Sequence, residues 1–217
     1  MYFKTLYFAV ACMLLTLAGC GGGGEDPPQT YQTQILSDSG LDGDIEQTGP
    51  DSAVVTQGMG PDVQYVLAGI NDDPAGSTEF RAFLHFPLDT VPSNARIDSA
   101  FLEVFIDFLD PASAVVPVRV ELVSFQQPMV ATDFDRTAQP ALVYTILSPR
   151  LGPSDIGKYV PIDVTGLMVE AQRRGLQDFQ VRILEDLGPP TPGLFAIDDA
   201  TGSKRSATAP LLTVTYF

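Results

Sequence analysis

Prolines recur so closely along the chain that long helices are ruled out over most of its length. Pro87, Pro92, Pro111, Pro117 and Pro128 punctuate the middle of the sequence alone. Proline lacks a backbone N–H and clashes with the preceding helical turn, so it gathers at strand ends, sheet edges and turns. Between the prolines, apolar residues alternate with period two. The clearest run is Ile97 to Phe108, IDSAFLEVFIDF: Ala100, Leu102, Val104 and Ile106 fall on one face, and Phe101, Glu103, Phe105 and Asp107 on the other. Val116, Val118, Val120 and Leu122 repeat the pattern with Arg119 and Glu121 opposite. Ala82, Leu84 and Phe86 do so again, with Arg81, Phe83 and His85 opposite. Further short strands are expected at 62–70, 141–147, 159–163, 179–184, 194–197 and 211–216.

The longest proline-free stretch, 162–188, holds the single expected helix. Val164, Leu167, Met168 and Ala171 follow helical spacing, Asp163 or Thr165 can cap its start, and Gly175 can end it. Arg173 and Arg174 fall in its last turn, where the helix dipole favours cations. Many short strands and one short helix predict an all-β fold, a jelly-roll-type antiparallel β-sandwich.

The N-terminus has a different pattern. MYFKTLYFAVACMLLTLAGC carries one charge, Lys4, ahead of a short apolar run that ends on small residues. This is the pattern of a secretory signal peptide and is too short for a membrane span. Leu17, Ala18, Gly19 and Cys20 resemble the bacterial lipobox, in which the cysteine is lipidated and becomes the first residue of the mature chain. Cys12 would leave with the leader, so Cys20 has no partner for an intrachain disulfide or a cysteine zinc site. Gly21 to Gln34, GGGGEDPPQTYQTQ, reads as a flexible spacer. The expected organisation is a leader at 1–19, a lipidated cysteine and linker at 20–34, and one β-sandwich domain at 35–217. The resemblance implies a membrane partner reached through the lipid. By the same analogy, the lack of an aspartate after Cys20 favours the outer membrane. Net charge is −15, and −16 once Lys4 is gone, which repels phosphate backbones and argues against nucleic acid.

The residues that could carry chemistry are few. His85 is the only histidine, so any triad or histidine metal site would have to use it, and a structural or surface role is expected instead. Asp72-Asp73, Asp133 with Asp135, and Asp198-Asp199 could pair for glycoside hydrolysis, but in so acidic a chain they are expected to be solvated loop acids. Ser37 to Glu46, SDSGLDGDIE, has enough oxygens for a structural calcium but not the EF-hand spacing, which leaves that cation and an ordinary Asp-Gly turn both open. Thr201 to Arg205 reads as a hairpin turn with basic residues. No catalytic residue is expected. The candidate binding residues lie on the face opposite the core. Phe101 and Phe105, with Phe83 on a neighbouring strand, would form a platform for sugar rings, and Arg81 and Glu103 would supply hydrogen bonds to hydroxyls. The competing expectation is that loops, the helix or a second sheet cover these rings.

Several blocks together resemble a known family. Arg81 to Leu88 (RAFLHFPL), Val91-Pro92 and Ile97 to Leu102 (IDSAFL) look like the opening block of DNRLRE-domain proteins, which include the alginate-binding carbohydrate-binding module family 96. Asp163-Val164-Thr165 with the helix and Gly175-Leu176 resemble a second block, and Ala209 to Tyr216 (APLLTVTY) its closing strand. Asp42 to Ile45 and Tyr65 to Gly69 fit the family's start. His85 and Pro87 depart from the usual basic residue and aspartate, and the chain has no tryptophan for sugar stacking. The resemblance implies a non-catalytic jelly roll on a secreted or surface protein, and with the expected aromatic platform the first reading is a module that binds polysaccharide. An envelope module with a protein partner is the alternative, and a glycan-active enzyme is a third reading.

Overall fold

The alternating run at 97–108 becomes the longest strand, β6 (Ile97–Asp110), and the run around Leu84 becomes β5 (Gly76–Pro87). The computed structural model describes residues 29–58, 65–74, 76–186 and 192–217. Before β5 lie β1 (Tyr31–Leu36), β2 (Gly43–Gln47), β3 (Val54–Gln57) and β4 (Tyr65–Asp73). After β6 come β7 (Val118–Val123), β8 (Val143–Ile146), β9 (Lys158–Asp163), β10 (Asp178–Glu185), β11 (Gly193–Asp198) and β12 (Leu211–Tyr216). The helices are α1 (Thr165–Arg174) and the single turn α2 (Arg205–Thr208). The fold is all-β, and its strand pairings are antiparallel, as the alternation predicts.

The strands form one hydrogen-bonded path, β1-β12-β6-β11-β4-β5-β10-β7-β8, with β9 on the other edge of β6 and β2, then β3, on the other edge of β5. Two strands are long enough to change partners. The first half of β6 pairs with β12, from Ile97 to Glu103, and its end pairs with β11, from Ile106 to Asp110. Likewise β5 pairs with β4 from Gly76 to Phe80 and with β10 from Ala82 to Pro87. The register shifts between Ala196 and Ile197, where an irregularity bends the ladder. Such hand-overs let the network curl around a core.

That core takes the residues which the alternation assigns to it. Leu84 and Phe86 of β5, Leu102 and Ile106 of β6, Leu122 of β7 and Val181 of β10 share one buried cluster. Helix α1 adds Leu167, Met168 and Ala171 and packs against β6 and β8, which stand far apart in the strand order. It therefore fills the gap between them. Asp163 Oδ1 accepts the Thr165 N–H at 2.9 Å, and Gly175, at φ 66°, ends the helix in the left-handed conformation. Burying one leucine in this way contributes about 1.5–3 kcal/mol.

The far side of β5 is covered as well. Phe83 packs with Ile45, Val123, Phe125, Met129 and Phe134 in a second cluster beneath the β2–β3 hairpin and the segment after β7. Gly43 stands opposite Phe83, and a Cβ there would lie 2.2 Å from the Thr56 carbonyl oxygen, so only glycine allows the hairpin this close. Beside the cluster sits a wholly buried carboxylate, Glu121. Its Oε2 accepts Arg182 Nε at 2.9 Å and Nη2 at 2.6 Å, while Oε1 accepts Arg119 Nε at 2.8 Å and Arg136 Nη2 at 2.6 Å. Arg182, also fully buried, donates to the carbonyls of Asp133 at 2.9 Å and Gln139 at 3.0 Å. Burial pushes the Glu121 carboxyl up, but Arg182, Arg136 and Arg119 outweigh it and hold it below the usual glutamate range.

Three expectations change. Strand β1 begins at Tyr31, inside the expected linker at 20–34, because Tyr31 pairs with Tyr216 and the two rings stack at 6.0 Å. Gly43–Glu46 is strand rather than loop, held by β3 on one edge and β5 on the other. Residues 201–205 form a 3-10 turn (Gly202–Lys204) running into α2, where a hairpin turn was expected. The leader, the lipobox, the first part of the linker and residues 62–64 lie outside the described residues. Among the described residues, no helix is long and apolar enough to cross a membrane.

Removing the Glu121 charge leaves three guanidiniums facing one another in a buried layer. Glu121→Gln is expected to cost about 3–5 kcal/mol. Urea unfolding checks this, and a midpoint unchanged from the parent chain would show that the ion cluster does not hold the outer layer.

Candidate functional site

The outer face of β6 stays open. Phe101 is 41% exposed, Phe105 is half-buried, and Glu103 lies between them. Four residues of extended strand put Phe101 and Phe105 about 13 Å apart. On one side β9 sets Asp163, Pro161 and Tyr159 opposite Phe101, Glu103 and Phe105. On the other side β12 sets Thr213 opposite Phe101 and Leu211 opposite Glu103. The Phe105 and Tyr159 rings meet edge to face at 5.5 Å and 80°. Thr213 Oγ1 donates to Glu103 Oε2 at 3.2 Å, and the Tyr159 hydroxyl donates to the Ala209 carbonyl at 3.3 Å. Burial, with Asp198 and Glu103 nearby, raises the Tyr159 hydroxyl above the usual tyrosine value, so it keeps its proton at neutral pH. The result is an exposed aromatic strip with a carboxylate between its rings. Such a surface suits rings that stack and hydroxyls that bond.

Of the predicted binding residues, the structure brings together Phe101, Glu103 and Phe105. It places Phe83 and Arg81 elsewhere. Phe83 is fully buried, edge to face on Phe125 at 5.4 Å, because the β2–β3 hairpin and the segment after β7 cover its side of the sheet. It belongs to no exposed platform. Arg81 is also buried. Its Nε donates to Glu79 at 2.7 Å, Nη1 donates to the Phe134 carbonyl, and the guanidinium lies 3.8 Å from the centre of the Phe134 ring. Arg81 borders a separate cleft of about 710 Å³, together with Arg136, Asp51 and Asp135.

Tyr159 and Pro161 are the strip residues that sequence reasoning missed. The signal was present: in 158–163 the buried residues are Val160 and Ile162, so Tyr159, Pro161 and Asp163 face outward. What could not be read was that β9 lies beside β6. Proline is tolerated there because β9 is an edge strand paired with β6 alone.

The remaining candidates settle into local roles. His85 is buried, with Nε2 3.4 Å from Asp178. Asp72 Oδ1 accepts the Ser77 hydroxyl, Asp135 Oδ1 accepts the Thr137 N–H and hydroxyl, and Asp133 Oδ2 accepts the Val130 N–H. In the stretch considered for calcium, Asp38 accepts the Gly40 N–H, Asp42 the His85 N–H and Asp44 the Leu67 N–H, so the three acids are engaged at separate places. Among the described residues, no group of three or more His, Cys, Asp or Glu side chains is placed to hold a metal ion.

No family model and no curated protein matches this chain.

Phe83 and Phe101, two of the three phenylalanines of the expected platform, should separate experimentally. Phe83→Ala is expected to cost about 3–5 kcal/mol through the cavity it leaves. Phe101→Ala should stay within about 0.5 kcal/mol of the parent chain. Thermal or urea unfolding of the two variants reads the difference, and equal losses would contradict the burial of one and the exposure of the other.

Proposed function

We propose that this chain is a non-catalytic cell-envelope lipoprotein whose β-sandwich holds polysaccharide at the cell surface. The observation that carries the reading is the open strip of Phe101, Glu103, Phe105 and Tyr159 on the outer face of β6 and β9, in a sheet whose other long strand is covered on both sides. A pyranose ring can lie against an aromatic face while its hydroxyls reach Glu103 or the Tyr159 oxygen. The blocks that resemble the DNRLRE family support the reading. Most of their residues fall on β2, β4, β5, the start of β6, the end of β9 with α1, and β12, while Val91-Pro92 and Gly175-Leu176 lie in the turns after β5 and α1. The lipobox at Leu17 to Cys20 supplies the address, with the outer membrane as the preferred site.

Affinity electrophoresis through gels cast with a panel of neutral and acidic polysaccharides tests the binding. Retention by at least one polysaccharide is expected, and Phe101→Ala with Tyr159→Ala should weaken it by at least about tenfold, or 1.4 kcal/mol, while the chain stays folded. If no polysaccharide retards the chain, the reading fails.

A protein-binding module of the envelope is the second reading. Edge strand β8 favours it, since Tyr144 and Ile146 are 50% and 46% exposed along a free edge. Pull-down of a single envelope protein, lost when Ile146 becomes lysine, would select it.

Anchoring has its own test. Cys20→Ser is expected to leave the precursor unprocessed or to release the protein from membranes, seen by fractionation and by incorporation of labelled palmitate. Unchanged processing and labelling would refute lipidation.

A further inference from the structure

Where the β1–β2 connection meets the segment between β11 and β12, Ser37, Asp42 and Asp199 are 2%, 1% and 3% exposed. Asp42 Oδ1 accepts the His85 N–H at 2.7 Å. Ser37 Oγ, Asp42 Oδ2 and Asp199 Oδ1 are sealed from solvent with no hydrogen bond of good geometry. The Ser37 N–H donates to the Pro210 carbonyl at 3.0 Å, which lays the β1–β2 connection against the end of that segment and brings the Asp42 carboxyl within interaction range of Ser37 and Asp199. Arg205 Nη1 stands 3.5 Å from Asp199 Oδ1. Two ionised carboxylates offer only acceptors, so no bond can form between them until one carries a proton. Leaving both charged in such a place is costly.

The charge balance decides what fills the gap. Arg205 neutralises one carboxylate, and a single proton neutralises the other, giving a cluster of zero net charge. A divalent cation would bring one positive charge too many and would sit against the guanidinium. Burial, reinforced by the charge of Asp199, pushes Asp42 well above the usual carboxylate range. Burial raises Asp199 to about 6 although Arg205 pulls it down. Other ionisable groups flank the pair. Asp198 accepts the Ala200 N–H at 2.8 Å and the Thr208 hydroxyl at 2.9 Å, Asp38 caps its own turn, and the His85 ring is turned toward Asp178.

The position of the cluster gives it a consequence. Segment 199–209 begins at Asp199, carries Arg205 in its single-turn helix, where the Arg205 carbonyl accepts the Ala209 N–H at 3.0 Å, and ends at the Ala209 carbonyl that receives the Tyr159 hydroxyl. We propose that Asp42 and Asp199 share one proton and, with Arg205, form a pH-operated latch that fixes segment 199–209 against the β1–β2 connection, beside the aromatic strip. The sign follows from the protonated folded state. Both folded acids hold their proton more tightly than the unfolded chain does, so the latch is complete in mild acid. It weakens as pH rises through the folded values.

Hydrogen exchange of the full chain, corrected for intrinsic rates, reads the latch through peptides spanning 199–209 between pH 5 and pH 9. Protection there is expected to fall at least about tenfold, the equivalent of one pKa unit. Asp42→Asn keeps a donor toward Asp199 but removes the shared proton, so its loss of protection with pH should be well below that of the parent chain. Asp44→Asn removes a different buried acid, raised by burial to about 6, and should keep the parent slope. Arg205→Gln alters a partly exposed side chain and should move the transition up by about one pH unit, which keeps the test open if Asp42→Asn does not fold. A parent chain with no slope, an Asp42→Asn variant that keeps it, or an Arg205→Gln transition that does not move would each overturn the latch. Recovery of protection at pH 9 on adding calcium would also overturn it, in favour of a cation between the carboxylates.

Discussion

Strands β5 and β6 each hydrogen-bond to more neighbours than a strand has edges, because each changes partner part-way along its length. Everything else in the architecture follows from that hand-over. A sheet built from short strands would twist but stay open, with two unpaired edges. Here the curl brings the inner faces of β5, β6, β7 and β10 around one apolar core. Helix α1 then packs between elements that are remote in the strand order. The helix itself has modest intrinsic reasons to form, and its buried face supplies most of its stability.

The two long strands differ in what lies on their outer sides. Outside β5 is a second layer, made of the β2–β3 hairpin, the segment after β7 and a buried ionic cluster around Glu121. Outside β6 is solvent. The covering layer is fastened by charge as well as by apolar area. One carboxylate bonds three guanidiniums, and Arg182 reaches on to two main-chain carbonyls of the segment that lies over it. Buried ion clusters of this kind give little net stability but penalise alternative packings, since any slip leaves a charge without a partner. Rigidity on the β5 side and openness on the β6 side are thus two products of one sheet.

The alternation of apolar residues was enough to identify the strands from β4 onward, the residues of the main core and the helix with its glycine end, because those depend on local period and on which face is apolar. It could not identify the layer outside β5. Arg81, Phe83 and His85 have the polar and aromatic character of an exposed face, and so do Phe101, Glu103 and Phe105. Only tertiary pairing distinguishes them, through a hairpin that Gly43 admits and an arginine, Arg182, that crosses from a strand distant in sequence. The same limit applies to Asp42 and Asp199. Each reads as an ordinary acid near a turn, and their meeting depends on how the β1–β2 connection lies against the segment after β11. Strand β1 was hidden in a polar stretch, where Tyr31 finds its reason only in Tyr216.

The pairing of β1 with β12 sets how force would travel through the molecule. With Cys20 as the proposed anchor, the chain between it and Tyr31 would reach no more than about 40 Å when fully extended. Between a ligand proposed to lie on β6 and a tether entering at β1, the hydrogen-bonded route through the sheet runs across β12, which lies between the two strands. A pull along the strands shears the β1–β12 ladder, so its bonds resist together. A pull across the strands opens the ladder from one end, and its bonds yield in turn. The same tether is therefore firm in one direction and compliant in the other.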